Sequence, residues 1–335
     1  MTKQTIIGII IVILIVTASI GIWLKQQAPQ KPTDLKKVTI AIGTGPVISP
    51  VHIAFVKEYF NNEGLDLTLQ QHKSGKAAFK AVIDGQANLA TAADTPIMNA
   101  VTRGKKIVII CTIETTEKNK AIVARKDKGL STGDDLTGKK IGVVIGTNAE
   151  FFMESLLILH KISRDKVEVV SLKSNEIFDA VVDGKVDAVS TWNPNIINLQ
   201  KILGEDGVTF YGEGIYRETF NIVAMQDFVN ENPEIIKKVL RALIKAEEFI
   251  KEKPRESRKI ISVATGMEEA SLNELWDIYD FRITLDQPLI LILEEQTRWA
   301  IRNNLIEATE VPNFLDFIYM DALEAIKPEA VTIIR

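Results

Sequence analysis

Beyond an apolar N-terminal run, short apolar segments alternate along the chain with longer stretches whose apolar positions recur every three to four residues. Val38–Ile42, Leu65–Gln70 and Ala87–Thr91 read as strands. Pro50–Asn61 and Gly75–Asp84 lie between them as helices, and another helix opens at Pro96. The same order returns later. Lys140–Ile145, Val167–Leu172 and Val186–Ser190 are strand-like, Asn148–His160 and Asn175–Asp183 helical, and a helix opens at Pro194. Strands and helices alternating through short loops predict parallel sheets covered by helices on both faces, an α/β architecture.

The return is also visible as a sequence repeat. Phe79-Lys-Ala-Val-Ile-Asp-Gly-Gln-Ala-Asn-Leu-Ala-Thr runs on to Pro96, and Phe178-Asp-Ala-Val-Val-Asp-Gly-Lys-Val-Asp-Ala-Val-Ser runs on to Pro194. His72-Lys-Ser74 precedes the first copy and Leu172-Lys-Ser174 the second, so the match extends into the flanks. Gly85 and Gly184 each follow a helix, where a left-handed C-terminal cap favours glycine. Two lobes of one design are therefore expected. The apolar strands Ala121–Ala124 and Asn221–Met225 bracket the second copy and read as a two-strand hinge. The domain reading that follows puts lobe one at 38–121, lobe two at 122–221, and the return to lobe one with its C-terminal helices at 222–335. In that return, Pro233–Lys251 is amphipathic, with Asn232 as its cap and Ile236, Val239, Leu240, Leu243 and Ile244 as its apolar stripe. Helices around Leu272–Tyr279, Pro288–Asn303 and Phe314–Ile326 are expected to pack on lobe one, with Trp276, Trp299 and Met320 in its core.

Ile6–Leu24 is long and apolar enough to approach the span of a bilayer's hydrocarbon core. It reads as a signal peptide cleaved near Val16-Thr-Ala18 or as an uncleaved anchor, so residues 1–24 direct export either way. No cysteine near its end provides a site for lipid modification. Residues 25–37, with Pro29 and Pro32 among polar residues, read as a tether. The whole chain has a globular composition, 46% hydrophobic and 25% charged, with a formal net charge of −4. No basic run offers the charge that neutralises phosphates, which argues against nucleic-acid binding. The single cysteine, Cys111, falls in an apolar run and reads as a core residue.

Ligands of open α/β sheets bind beyond the carboxyl ends of the strands, where helices begin. Ser49-Pro50, Thr95-Pro96 and Asn193-Pro194 each look like a cap followed by proline at the first helical position. Ser74 and Ser174 read as caps in matching loops, and Thr147-Asn-Ala-Glu150 as a capping box. As many as six helix N-termini then converge on the cleft and favour a negatively charged ligand group. Thr44, Ser49, Ser74, Gly75, Thr95, Thr147, Asn148 and Asn193 are accordingly candidate ligand contacts. Trp192 breaks the repeat with a flat aromatic face suited to covering a ligand. Asp94 is placed to accept from a ligand amine, or to complement a helix dipole. His52 faces either the cleft or solvent. These loops hold no arginine, which disfavours a multiply charged anion such as phosphate. A small ligand with one anionic or polar end, zwitterionic or heteroaromatic, fits them.

Catalytic patterns are missing from the sequence. His52, His72 and His160 are not spaced as metal ligands, and no Gly-x-Ser-x-Gly elbow occurs. Gly133-Asp-Asp-Leu-Thr-Gly-Lys139 starts like a phosphate loop, but Lys140 stands where Ser or Thr is required and a strand follows. Neither a catalytic residue, a metal nor a cofactor is expected.

Several segments resemble one family. They are Ser49-Pro-Val-His-Ile-Ala54, Tyr59-Phe-Asn-Asn-Glu-Gly-Leu65, Ser74-Gly75, Ala93-Asp-Thr-Pro96, Gly138-Lys-Lys-Ile-Gly142 with Gly146-Thr147, and Val186-Asp-Ala-Val189. Together they are similar to the nitrate/sulfonate/taurine class of ABC solute-binding proteins, which includes relatives that bind thiamine-pyrimidine precursors. The resemblance implies a type II periplasmic-binding-protein fold, ligand capture between lobes around Ser49, Ser74, Asp94, Thr147 and Trp192, and delivery to a membrane permease. A monomer on the outer face of the membrane or in the periplasm is expected. A ligand sensor without transport, and an enzyme on the same fold, remain the alternatives. Asn88 departs from the pattern, standing where the second copy has Asp187.

Overall fold

The computed structural model describes residues 35–212 and 214–335. The apolar run Ile6–Leu24 and the tether up to residue 34 lie outside the described residues. Among the described residues no helix is long and apolar enough to cross a membrane.

The repeat builds two sheets of matching design. In the first, β1 (Lys36–Ile42) pairs in parallel with β2 (Leu65–Gln71) and β3 (Leu89–Ala93). Alongside them, β10 (Glu218–Met225) runs antiparallel to both β3 and β4 (Ile107–Thr116). In the second, β6 (Lys140–Val143) pairs in parallel with β7 (Glu168–Ser171) and β8 (Ala188–Trp192). There β5 (Lys120–Arg125) runs antiparallel to both β8 and β9 (Gly207–Tyr211). The orders β2-β1-β3-β10-β4 and β7-β6-β8-β5-β9 superpose position by position. The sequence pattern predicted parallel sheets; each sheet instead takes one antiparallel strand. The reason is connectivity, since β5 and β10 are the strands by which the chain enters one lobe and re-enters the other.

That observation moves the hinge. The segments Ala121–Ala124 and Asn221–Met225, read as hinge strands, are embedded in the second and first sheets respectively. The crossings are the short connections at residues 117–119 and 212–217, so β5 lies entirely in lobe two and β10 entirely in lobe one. Gly85 and Gly184 end the two repeat helices with φ of 73° and 70°, the left-handed caps that the repeat implied. Asn88 Oδ1 accepts from the backbone of Thr39 and Asp187 Oδ2 from that of Lys140, so the two residues hold equivalent strand starts.

Around the sheets, the expected helix Pro50–Asn61 is two helices, Ser49–Val56 and Tyr59–Asn62, broken at Glu58 with φ 57°. Strand β9 and the helix Pro254–Thr265 are additions that the apolar pattern did not reveal. Helix Pro233–Glu252 buries Ile236, Val239, Leu240 and Leu243 and packs on Ser49–Val56, while Gln287–Arg302 packs on Asp94–Val101. Asn232 sits at the cap position, but its side chain donates backward to the Phe228 carbonyl instead of capping. Cys111 is fully buried, and burial raises its thiol far out of the reactive range.

Lobe contact is aromatic as well as polar. Phe151, from the second lobe's helix Asn148–Leu159, meets Tyr216 of a crossing and Trp299 of lobe one edge-on, each with ring centroids 5.2 Å apart. Such edge-to-face pairs add to area burial. Trp276 and Trp299 are both core residues.

His52 is buried, on the helix that packs against Pro233–Glu252 and Pro254–Thr265, and neither of the two expected placements holds. Burial lowers its pKa from 6.5 to about 4. Below pH 6.5 the unfolded chain therefore takes up a proton that the folded chain refuses. Stability contributed by neutral His52 is complete above pH 6.5 and is lost as pH falls toward 4, by about 3 kcal/mol in all. Urea midpoints measured between pH 7.5 and 4.5 (about one unit apart) are expected to fall more steeply for the wild type than for His52→Gln.

Candidate functional site

A small cavity of about 40 Å³ lies between the lobes at the carboxyl ends of the parallel strands. Lobe one contributes Thr44, Val47, Ser74, Gly75, Lys76, Ala93, Pro96, Glu218 and Phe220. Lobe two contributes Lys120, Thr147, Asn148, Trp192 and Asn193, and Asn119 enters from the first crossing.

Three helix starts reach it. Ser74 caps Gly75–Ile83, its hydroxyl accepting from Ala77 N at 3.2 Å. A Cβ at Gly75 would stand 2.8 Å from the Phe220 ring, which also lines the cavity, so any larger residue there requires that ring to shift. Asn148 opens the second helix behind Thr147, and Pro96 stands in the first turn of Asp94–Val101. Lys76 reaches across the cleft and donates to the Ile145 carbonyl at 2.7 Å. This bridge separates the inner cavity from a wider groove that also touches Ser74, Lys76 and Pro96. On another side, Lys201 of lobe two donates to Ser271 at 3.0 Å.

The floor is charged and buried. Lys120 and Glu218 form a salt bridge with side chains 4% and 2% exposed. Asn119 Nδ2 also approaches the Glu218 carboxylate at 3.3 Å, and Tyr279 donates to Asn119 Oδ1 at 3.0 Å. Each of Lys120 and Glu218 begins the strand that follows a crossing, so the pair ties the two crossings together. Burial pushes the Glu218 carboxyl up, and Lys120 draws it partly back. Glu114, beside it on β4, is fully buried, and neither carboxylate oxygen has a hydrogen-bond partner among the described residues. Burial and then the Glu218 charge raise its carboxyl well above the ordinary range, which favours the neutral acid. Asn193 Oδ1, in a cavity-lining residue, has no hydrogen-bond partner among the described residues.

The family model NMT1/THI5-like matches residues 45–257. The chain belongs to that family. A family relative of Bacillus subtilis, named a putative aliphatic sulfonates-binding protein, is 24% identical over 229 residues, covering 67% of this chain and 68% of that one. A Candida albicans protein named 4-amino-5-hydroxymethyl-2-methylpyrimidine phosphate synthase is 23% identical over 237 residues, covering 66% and 69%. The solved structure of the alkanesulfonate-binding protein SsuA from Xanthomonas axonopodis pv. citri, bound to MOPS, has a TM-score of 0.75 at 16% identity, covering 86% of this chain and 99% of that one. The two-lobed α/β fold is thus that of the periplasmic binding proteins.

Within this site the sequence-predicted residues divide. Thr44, Ser74, Gly75, Thr147, Asn148, Trp192 and Asn193 are brought together around the cavity. Ser49, His52, Asp94 and Thr95 are buried and do not line it. A 3-10 turn at Pro46–Ile48 draws Ser49 into the first helical position, where its hydroxyl donates to Pro46 O at 2.6 Å. Asp94, not Thr95, opens the helix. The Asp94 carboxylate is taken up by Tyr216 Oη at 2.5 Å, Gln296 Nε2 at 2.9 Å, and the backbone N–H groups of Thr95 at 2.7 Å and Thr219 at 2.9 Å. It braces lobe one and has no capacity left for a ligand amine.

Other caps also differ from expectation. The Thr147 hydroxyl donates back to Val144 O at 2.7 Å, and Glu150 accepts from Gly146 N at 2.7 Å, so the capping box is displaced by one residue. Ser174 caps nothing, because that helix starts at Ile177 behind Glu176. The Asn193–Pro194 peptide is cis and the following helix starts at Asn195. Trp192 is the last residue of β8. Among the described residues no group of His, Cys, Asp and Glu is arranged to hold a metal ion.

Asn119, Lys120, Glu218 and Phe220 escaped the sequence reading. The available signal was a pair of opposite charges, Lys120 and Glu218, each heading an apolar strand that borders the second copy of the repeat. Removing one partner leaves the other charge buried and uncompensated. Lys120→Met is expected to lower the unfolding free energy in urea by about 3 kcal/mol, and Lys120→Met with Glu218→Gln to recover most of that loss.

Proposed function

We propose that the protein is an extracytoplasmic solute-binding protein of an ABC importer, closing its lobes over a small anionic, zwitterionic or heteroaromatic solute. The observation that carries this reading is the cavity itself: both lobes line it, and each contributes polar groups to it. A solute there contacts both lobes only when the cleft is shut. Closure follows from that differential affinity, and the closed form is then the one that a permease recognises. The binding-protein name of the Bacillus subtilis relative and the fold of SsuA support the same reading.

The side chains around the cavity are arranged for binding. Thr147 donates its hydroxyl to a backbone carbonyl, and His52, the histidine nearest in sequence to the Ser49 loop, is packed between helices elsewhere. Of the cavity-lining residues, Lys120 and Glu218 are occupied by each other in a buried salt bridge, and the Ser74 hydroxyl caps its own helix. Three helix starts supply dipoles for an anionic or polar end, and Trp192 supplies an aromatic wall beside them.

The test uses the full chain in detergent, with spin labels at Asp84→Cys and Lys173→Cys, which line the outer groove from opposite lobes. Buried Cys111 stays unlabelled. A cognate solute at about a hundred times its dissociation constant is expected to add roughly 2.7 kcal/mol to stability and to shorten the distance between labels. A solute that stabilises without shortening that distance counts against the clamp. Trp192→Ala is expected to weaken binding about tenfold or more in a protein whose circular dichroism shows it still folded; full affinity in that variant removes Trp192 from the site.

A further inference from the structure

The buried charges at the crossings do not balance, and the consequence drawn from them rests on the clamp reading above. Glu218 and Phe220 project from one face of β10, and Glu114 of β4 stands opposite Phe220 in the ladder. Both carboxyls therefore lie on the same side of the first sheet. The second lobe supplies Lys120, which is bonded to Glu218. All three residues are buried, and neither oxygen of Glu114 has a hydrogen-bond partner among the described residues. The ionisable groups that face Glu114 are Glu218 of β10, Lys120 of β5, Asp280 in the segment bridged to Thr115, Asp94 of helix Asp94–Val101, and Tyr279. Of these, Lys120 alone is a cation. Asp94 is taken up by its own donors and Asp280 by Arg282 at 2.8 Å. Two ionised glutamates on one ammonium leave a negative charge buried and uncompensated, a costly state unless a proton neutralises it.

We propose that closing the cleft takes up one proton from solvent, held between the Glu114 and Glu218 carboxyls, so that the clamp shuts more readily as pH falls. Two features tie the proton to closure. The acids belong to lobe one and the ammonium to lobe two, so the charge cluster is assembled across the crossings. Lys120 and Glu218 also line the cavity, so an open cleft brings water onto their charges and screens the repulsion at Glu114. With the lobes bridged by Lys76 on the Ile145 carbonyl and Lys201 on Ser271, that screening is lost. Burial and then the Glu218 charge hold the Glu114 carboxyl well above its ordinary value of 4.5. The shut form thus binds the proton more tightly than the open form. As pH rises above 4.5, the ratio of shut to open falls, by up to about tenfold per pH unit for one proton, and it levels off above the raised value. His52, at about 4 and packed among helices of lobe one, lies below that window.

The experiment measures the distance between spin labels at Asp84→Cys and Lys173→Cys in the full chain without solute, from about pH 5 to about pH 9. Infrared spectra of the unlabelled protein accompany it. The short distance is expected to give way to a longer one as pH rises. In Glu114→Gln and in Glu218→Gln one carboxylate is left to balance Lys120, so the distance is expected to stay short throughout. The carbonyl band of a protonated carboxyl is expected in the wild type at about pH 6 and is expected to weaken in both variants. Circular dichroism shows that each variant is folded. A wild-type distance that ignores pH, or the same pH response in Glu114→Gln, overturns the inference. A difference spectrum between wild type and Glu114→Gln without that band overturns it as well. Solutes that shorten the distance while pH does not leave the solute-binding clamp standing without its proton. A distance that follows pH but answers to no solute counts against the solute reading alone.

Discussion

The buried pair of Lys120 and Glu218 is the constraint around which both lobes are arranged. Each residue is the first of a strand that follows a crossing, and the strands belong to different sheets. The attraction between them therefore fixes the two crossings against one another at the floor of the cleft. A buried pair is expensive to desolvate and gives little net stability over an apolar replacement. Its value lies in geometry: opposite charges in a buried site tolerate few alternative placements. Asn119 and Tyr279 extend the arrangement by hydrogen bonds, so the crossings and the cavity floor are one connected polar structure.

Asp94 performs the corresponding task inside lobe one. Its carboxylate gathers donors from its own helix, from the second crossing, from β10 and from the C-terminal helix Gln287–Arg302. The return segment is thereby locked to the first repeat. Phe151 then reaches from lobe two to Tyr216 and Trp299, placing an aromatic bearing beside the polar pivot. Rigid halves on a well-defined axis are what a clamp needs, because binding energy then goes into closure instead of into ordering each half.

Much of the fold was legible because the repeat encoded it. Phe79 and Phe178 start matching frames, and the helices and strands they predicted occupy equivalent places in two sheets of equivalent order. The orientation of β5 and β10 was hidden, since apolar patterning reports burial and carries no direction. Helix-start chemistry pointed to the neighbourhood of the cavity but included residues that do not line it. Ser49 and Thr95 missed the cavity because cap positions shift by a residue when a 3-10 turn or an acidic residue takes the first place. Lys120 and Glu218 were invisible for a different reason: they lie far apart in the chain, and a lysine or glutamate at a strand end ordinarily points to water.

The fourth position of each sheet has a consequence for biogenesis. Ala121 of β5 stands opposite Tyr211 of β9, so lobe two begins and ends on neighbouring strands and is an insertion complete in itself. Thr116 of β4 stands opposite Glu218 of β10, so the sheet of lobe one is held open until the chain returns. As the polypeptide emerges from ribosome or translocon, the second lobe has all its strands first, and the N-terminal half of lobe one must wait with an unfilled slot between β3 and β4. The earliest-made strands are thus the last to be sealed, and any chaperone that attends this chain has an exposed apolar sheet edge to protect for the whole time it takes to make the inserted lobe.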